Sequence, residues 1–152
     1  MPGLLIIAHA PLASALKAVA THTYPECGAL LEALDVLPGA APEEVEAAGR
    51  QLLARVRNPD ALIFTDVFGA TPCNVAQRLA SQAEGGQVKV IAGVNVPMLW
   101  RSLCYADPSL DALVERAVDG AVKGVMRVSI SRPQNQTLKP PGHDQDPNPH
   151  QQ

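Results

Sequence analysis

Leu4-Leu5-Ile6-Ile7-Ala8-His9-Ala10-Pro11-Leu12-Ala13-Ser14 opens the first structural unit of the chain. Residues 4–8 form an apolar run of strand length that stops at His9, and residues 12–21 carry alanine and leucine at helical spacing. The unit then repeats. Apolar runs recur at 34–37, 61–65 and 88–92, separated by helical segments at 42–56 and 71–83. Pro42-Glu43-Glu44 marks a helix start, with proline in the first turn and acids facing the positive end of the dipole. Asp107-Pro108-Ser109 caps a further helix over 110–122, Gly124 stops it, and 125–130 reads as a fifth strand. This alternation predicts an α/β fold, a doubly wound and mostly parallel sheet with helices on both faces.

Composition narrows the class. The chain has 152 residues, 47% of them hydrophobic and only 3% aromatic, so aliphatic side chains must fill one core of ordinary domain size. Stacking platforms for single-stranded nucleic acid are excluded by that scarcity of aromatics. The net charge of -3, from 12 Lys plus Arg against 15 Asp plus Glu, argues against nucleic acid and anionic membranes. Cys27, Cys73 and Cys104 are odd in number and widely spaced, which suggests neither a disulfide framework nor a zinc site and fits a cytoplasmic setting. No basic segment precedes the 4–8 run, and no stretch approaches the roughly 18 apolar residues of a membrane span. Composition breaks near residue 131. Residues 1–130 read as the domain, and 131–152, rich in Pro, Gln and Asn with Leu138 as the one large aliphatic, reads as a disordered tail.

Open parallel sheets bind ligands at the carboxyl ends of their strands, so the chemistry is sought in the residues that follow each run. His9 follows the first and is a candidate nucleophile, base or ligand, with a helix-capping or packed histidine as the plainer alternative. Asp66 follows the third, at the same edge. A carboxylate beside an imidazole fixes its tautomer, leaves one ring nitrogen free and stabilises the cation, although Asp66 alone reads equally well as a cap or a turn acid. Gly69-Ala70-Thr71-Pro72 opens a helix whose N-cap is expected at Thr71, offering a hydroxyl and free amides to an anion such as a phosphoryl group. His22 reads as a cation meeting the carbonyls at the end of the first helix, and Cys73 as a small buried thiol. Ser14, Ser81 and Ser102 lack the nucleophile-elbow motif of a serine hydrolase, and no Walker or dinucleotide glycine fingerprint is present.

Three stretches then carry a family resemblance over residues 3–130. They are Ile6-Ile7-Ala8-His9; the Asp-x-x-Gly-x-Ser/Thr-Pro-x-Asn pattern over 66–74; and Val90-Ile91-Ala92-Gly93-Val94-Asn95-Val96-Pro97-Met98-Leu99. The chain resembles the IIA component of the mannose-type phosphoenolpyruvate-dependent sugar phosphotransferase system. The resemblance implies that His9 accepts a phosphoryl group on Nε2 from the histidine phosphocarrier protein and passes it to a IIB component, without a metal or other cofactor. It implies that Asp66 accepts a hydrogen bond from Nδ1. Gly69, Ala70 and Thr71 would receive phosphoryl oxygens, with Ala10, Phe68, Asn95 and Pro97 on the rim. It also implies a homodimer in which the antiparallel strand at 125–130 is exchanged, and membrane association only through IIC and IID partners. Ala10 and Phe68-Gly69-Ala70 depart from the glycine and the Trp-Gly-Gly of many relatives. Two alternatives share the histidine: a regulatory phosphoprotein of an incomplete system without sugar transport, and the phosphoryl-donor subunit of a dihydroxyacetone kinase.

Overall fold

The structure, a computed structural model, describes residues 1–104 and 109–129. Strands β1 (Gly3–His9), β2 (Leu31–Val36), β3 (Ala61–Thr65) and β4 (Val88–Ala92) alternate with helices α1 (Leu12–Thr23), α2 (Pro42–Val56), α3 (Thr71–Ser81), α4 (Val96–Leu103) and α5 (Leu110–Lys123). The strands make one sheet in the order β2-β1-β3-β4, and every pairing is parallel.

β1 is the strand on which the rest is assembled. It pairs with β2 on one side and β3 on the other, and Leu4 through Ala8 have no solvent exposure. Because side chains alternate along a strand, Leu4, Ile6 and Ala8 meet α1, α4 and α5, whereas Leu5 and Ile7 meet α2 and α3. A strand buried on both faces reads as an unbroken apolar run, which is what 4–8 is. Each fully buried Leu or Ile contributes about 1.5–3 kcal/mol of transfer free energy. The helices supply narrow matching stripes. α1, for example, turns Ala13, Leu16 and Ala20 inward. At the amino end of β1 the backbone of α2 comes so close that a Cβ on Gly3 would collide with the Val56 carbonyl, so only glycine fits.

The order of strands places the site. The chain steps from β1 to β2 in one direction and from β2 back across to β3 in the other. Right-handed crossovers then put α1 and α2 on opposite faces. The carboxyl ends of β1 and β3 therefore flank the point where the winding reverses, and His9 and Asp66 stand at those two ends.

Several expectations are corrected. The second strand begins at Leu31 and ends at Val36, instead of covering 34–37. It lies at an edge of the sheet with one neighbour, so Glu32 and Asp35 interrupt its apolar pattern at little cost. α4 was not expected; Asn95 caps it and Pro97 sits in its first turn, the same punctuation that marks α2. Thr71 is the first residue of α3 and not its cap; the cap position is Ala70, which has no side-chain acceptor. The α5 cap is Ser109, accepting the Ala112 amide, while Asp107 and Pro108 lie outside the described residues. The fifth strand is not formed within the single chain. Residues 125–129 pair with no strand, and Val125, Met126 and Val128 are exposed. A strand needs a partner edge, and this segment pairs with neither edge strand of its own sheet. Ile130 and the expected tail at 131–152 lie outside the described residues.

Candidate functional site

His9 is the last residue of β1 and the first of that strand to emerge, its side chain 54% exposed. Asp66 follows β3 directly and is far more enclosed, its side chain 10% exposed. The register that sets Ile7 opposite Thr65 carries the two side chains together at the strand ends. One carboxylate oxygen of Asp66, Oδ2, takes two bonds from the same residue: the His9 backbone amide donates to it at 3.0 Å, and His9 Nδ1 lies 2.7 Å away. Oδ1 accepts the Val67 amide at 2.9 Å.

The protonation states follow. Burial by itself would push the Asp66 carboxyl up, but the bonds from the His9 amide, the His9 ring and the Val67 amide, with the attraction of the ring's charge, outweigh it and hold the group below its ordinary value of 3.8. Near neutral pH Asp66 is therefore a carboxylate and can only accept. In the neutral form of the His9 ring, Nδ1 then carries the proton that Asp66 accepts, and the lone pair is on Nε2 of the half-exposed ring. The arrangement presents a single oriented imidazole nitrogen to whatever docks on this rim.

The loop after Asp66 forms the other wall. Val67 and Phe68 are 56% and 78% exposed, and Gly69 has φ +83°, a left-handed conformation that closes the turn into α3. Nδ2 of Asn74 donates to the Gly69 carbonyl at 3.4 Å and ties loop to helix. Asn74 belongs to the 66–74 pattern, yet the sequence reading gave it no role. Pro72 has no amide and the first helical bond is Asn74 N–H to the Ala70 carbonyl, at 3.0 Å. The amides of Ala70, Thr71 and Cys73 thus precede the helical ladder, at its positive end. Cys73 is buried, and His22 occupies the last turn of α1, as expected of both. The hydroxyls of Ser14, Ser81 and Ser102 bond back to the carbonyls of Pro11, Arg78 and Met98, each within its own helical region.

The fourth strand contributes differently from expectation. Gly93 N–H donates to the Asp66 carbonyl and Val94 N–H to the Thr65 carbonyl, both at 3.0 Å, so the exit of β4 is bound to that of β3. Asn95, however, is turned to structural use. Its Oδ1 accepts the Met98 amide at 2.9 Å and its Nδ2 donates to the Ala121 carbonyl at 3.4 Å. Pro97 packs where α4 crosses α5, against Gly124, and lines a cavity of about 320 Å³ with Tyr24, Trp100 and Arg101. That cavity is lined by neither His9 nor Asp66, and the His9 side chain stands exposed outside it. Among the described residues no three His, Cys, Asp or Glu side chains stand together as a metal site, and no helix is long and apolar enough to cross a membrane.

Comparison with known proteins gives the family and the fold. The EIIA-man family, described as the PTS system fructose IIA component, matches residues 3–118. The mannose-specific EIIAB component of the PTS system of Escherichia coli K12 is 37% identical over 95 residues, which is 60% of this chain and 29% of that protein. The chain thus spans less than a third of the length of the curated relatives it matches. Two solved structures share the fold at 21% identity. The mannose/sorbose-specific IIA subunit from Enterococcus faecalis has a TM-score of 0.77, covering 86% of this chain and 97% of its own. The EIIA component from Streptococcus agalactiae has a TM-score of 0.75, covering 84% and 97%.

Proposed function

We propose, for this chain that belongs to the mannose-type IIA family of the sugar phosphotransferase system, that it carries a phosphoryl group on Nε2 of His9 between two protein partners. The observation that supports this reading is the 2.7 Å contact between His9 Nδ1 and the Asp66 carboxylate, which leaves Nε2 as the one unprotonated nitrogen on a half-exposed ring. The donor is the phosphohistidine of the histidine phosphocarrier protein. In the first step the Nε2 lone pair attacks phosphorus in line, the new N–P bond forms as the donor's N–P bond breaks, and the donor's imidazole leaves with the electron pair. The proton on Nδ1 stays in place, and the Asp66 charge offsets the positive charge that develops on the ring. Gly69, Ala70 and Thr71 receive the phosphoryl oxygens at the amino end of α3. The second step reverses the first, with a IIB component as acceptor.

The working unit is a cytoplasmic homodimer. Val125, Met126 and Val128 follow α5 largely exposed, and β4 is an edge strand, half-buried and paired on one side only among the described residues. Exchange of 125–130 onto the partner's sheet would cover both features. Incubation with phosphoenolpyruvate and the two general phosphotransferase proteins tests the transfer. Intact-mass spectrometry should find one added phosphoryl group on the wild type and none on His9→Ala; label on the alanine variant would overturn the reading.

A further inference from the structure

We propose that Asp35 is a positioning residue for the His9 loop, the counterpart on β2 of the hold that Asp66 exerts from β3. The inference rests on the reading of His9 as the phosphoryl acceptor. Three of the backbone amides from His9 to Ser14 are bound by the two neighbouring strands. The His9 amide goes to Asp66 on one side. The Ala10 amide goes to the Val36 carbonyl at 3.0 Å, and the Ser14 amide to Asp35 Oδ1 at 3.0 Å, on the other. The turn that carries the reactive ring is thus clamped from both flanks, and two of the three acceptors are carboxylates.

The Asp35 bond does more than complete a helix. α1 begins after Pro11, whose side chain cannot accept, so the first turn has no local cap. α4 and α5 take theirs from Asn95 and Ser109, next to them in sequence. For α1 the acceptor comes from a strand 21 residues away, half-buried beside Ala8 in the register of β1 and β2. Asp35 alternates with Leu31 and Ala33 on the face that α1 covers, so its carboxylate lies under the first turn, where the helix dipole favours an anion. A bond between helix and sheet fixes the start of α1 relative to β1, and with it the path of Ala10 and Pro11 and the direction in which the His9 ring leaves the strand.

The test compares the full chain as wild type, Asp35→Ala and Asp35→Asn. Phosphoryl transfer from the phosphocarrier protein is followed in single turnovers over a range of donor concentrations, and the ¹⁵N signals of the His9 ring are recorded without donor. A misplacement of about 1 Å costs on the order of 100-fold in rate, and two of the three anchors survive, so Asp35→Ala should lower the saturating rate about tenfold. The donor concentration for half-maximal rate should change less than the rate does, since the wall formed by residues 67–71, which also meets the donor, makes no bond to Asp35. Asp35→Asn keeps an acceptor and should stay within about threefold of wild type. The His9 Nδ1 signal should shift in Asp35→Ala and not in Asp35→Asn. A saturating rate for Asp35→Ala within about twofold of wild type, or an Asp35→Asn rate as low as that of Asp35→Ala, overturns the inference. If Asp35→Ala does not fold, Asp35→Ser, too short to reach the amide, carries the same expectations. If even the wild type takes no label, the reading of His9 fails, and the Nδ1 signal decides the role of Asp35 separately: a signal unmoved by Asp35→Ala overturns it.

Discussion

Replacing Asp66 by asparagine and by alanine separates two things that the carboxylate does for His9. Oδ2 accepts both the His9 amide and the ring Nδ1–H, while Oδ1 accepts the Val67 amide. An amide side chain in the same place can keep its oxygen on His9, so ring orientation and tautomer survive, but its NH2 then faces the Val67 N–H. The charge is lost. Hydrogen bonds to a charged group contribute about 1.5–3 kcal/mol and neutral ones about 0.5–1.5 kcal/mol, so the loss at the developing ring charge is about 1–1.5 kcal/mol. That corresponds to roughly a tenfold slower transfer. Alanine removes orientation as well. Loss of the partner that orients a histidine typically costs another factor of about 10, bringing Asp66→Ala to roughly 100-fold. Rapid-quench measurement of label reaching each variant from phosphorylated carrier protein gives the two ratios, with thermal melting as the check on folding. Equal rates for the two variants would refute the separation of charge from orientation, and a wild-type rate for Asp66→Ala would refute the role of the carboxylate.

Four other outcomes are expected. The folded value of Asp66 lies below its unfolded 3.8, so its contribution to stability is fully present above the unfolded value and is lost as pH falls through the folded one. Urea unfolding should therefore show a gap between wild type and Asp66→Ala near neutral pH that narrows as pH falls below 3.8; a gap independent of pH contradicts the linkage. Gly69→Ala meets no atom within 4 Å, so its cost is that of the left-handed backbone alone, about 1–2 kcal/mol, measured as a fall in unfolding free energy. Gly3→Ala drives a methyl into the Val56 carbonyl and should destabilise by about 1–3 kcal/mol or more, with transfer by the folded fraction unchanged. Under the proposed exchange of 125–130 the wild type should sediment as a dimer and the protein carrying Met126→Glu and Val128→Glu together as a monomer; a double variant that still sediments as a dimer argues against the exchange.

The fold was legible because the sheet is parallel. β1 and β3 are buried on both faces, so 61–65 coincides with β3 and 4–8 fails only by the terminal Gly3 and His9; 88–92 coincides with β4, a half-buried edge strand in which Lys89 is the one charged residue. Glu32 and Asp35 obscured an edge strand, and the short α4 was hidden because residues 96–99 continue the apolar composition of β4 with only Asn95 and Pro97 as punctuation. At the site, the position of His9 and Asp66 followed from the rule about strand ends, and the contact between them followed from topology. Asn95 and Pro97 share that edge, where the Asn95 side chain caps α4 and Pro97 packs against Gly124. A side chain at a strand end can turn toward the site or toward a helix, and sequence spacing does not distinguish an N-cap from a rim residue.

The most direct measurement is NMR of the phosphorylated protein with ¹⁵N-labelled histidine, reading the phosphorus coupling at each ring nitrogen of His9. With Nδ1 held by Asp66 at 2.7 Å, the coupling should appear at Nε2 alone. Coupling at Nδ1, or phosphorus on any other residue, would contradict the account.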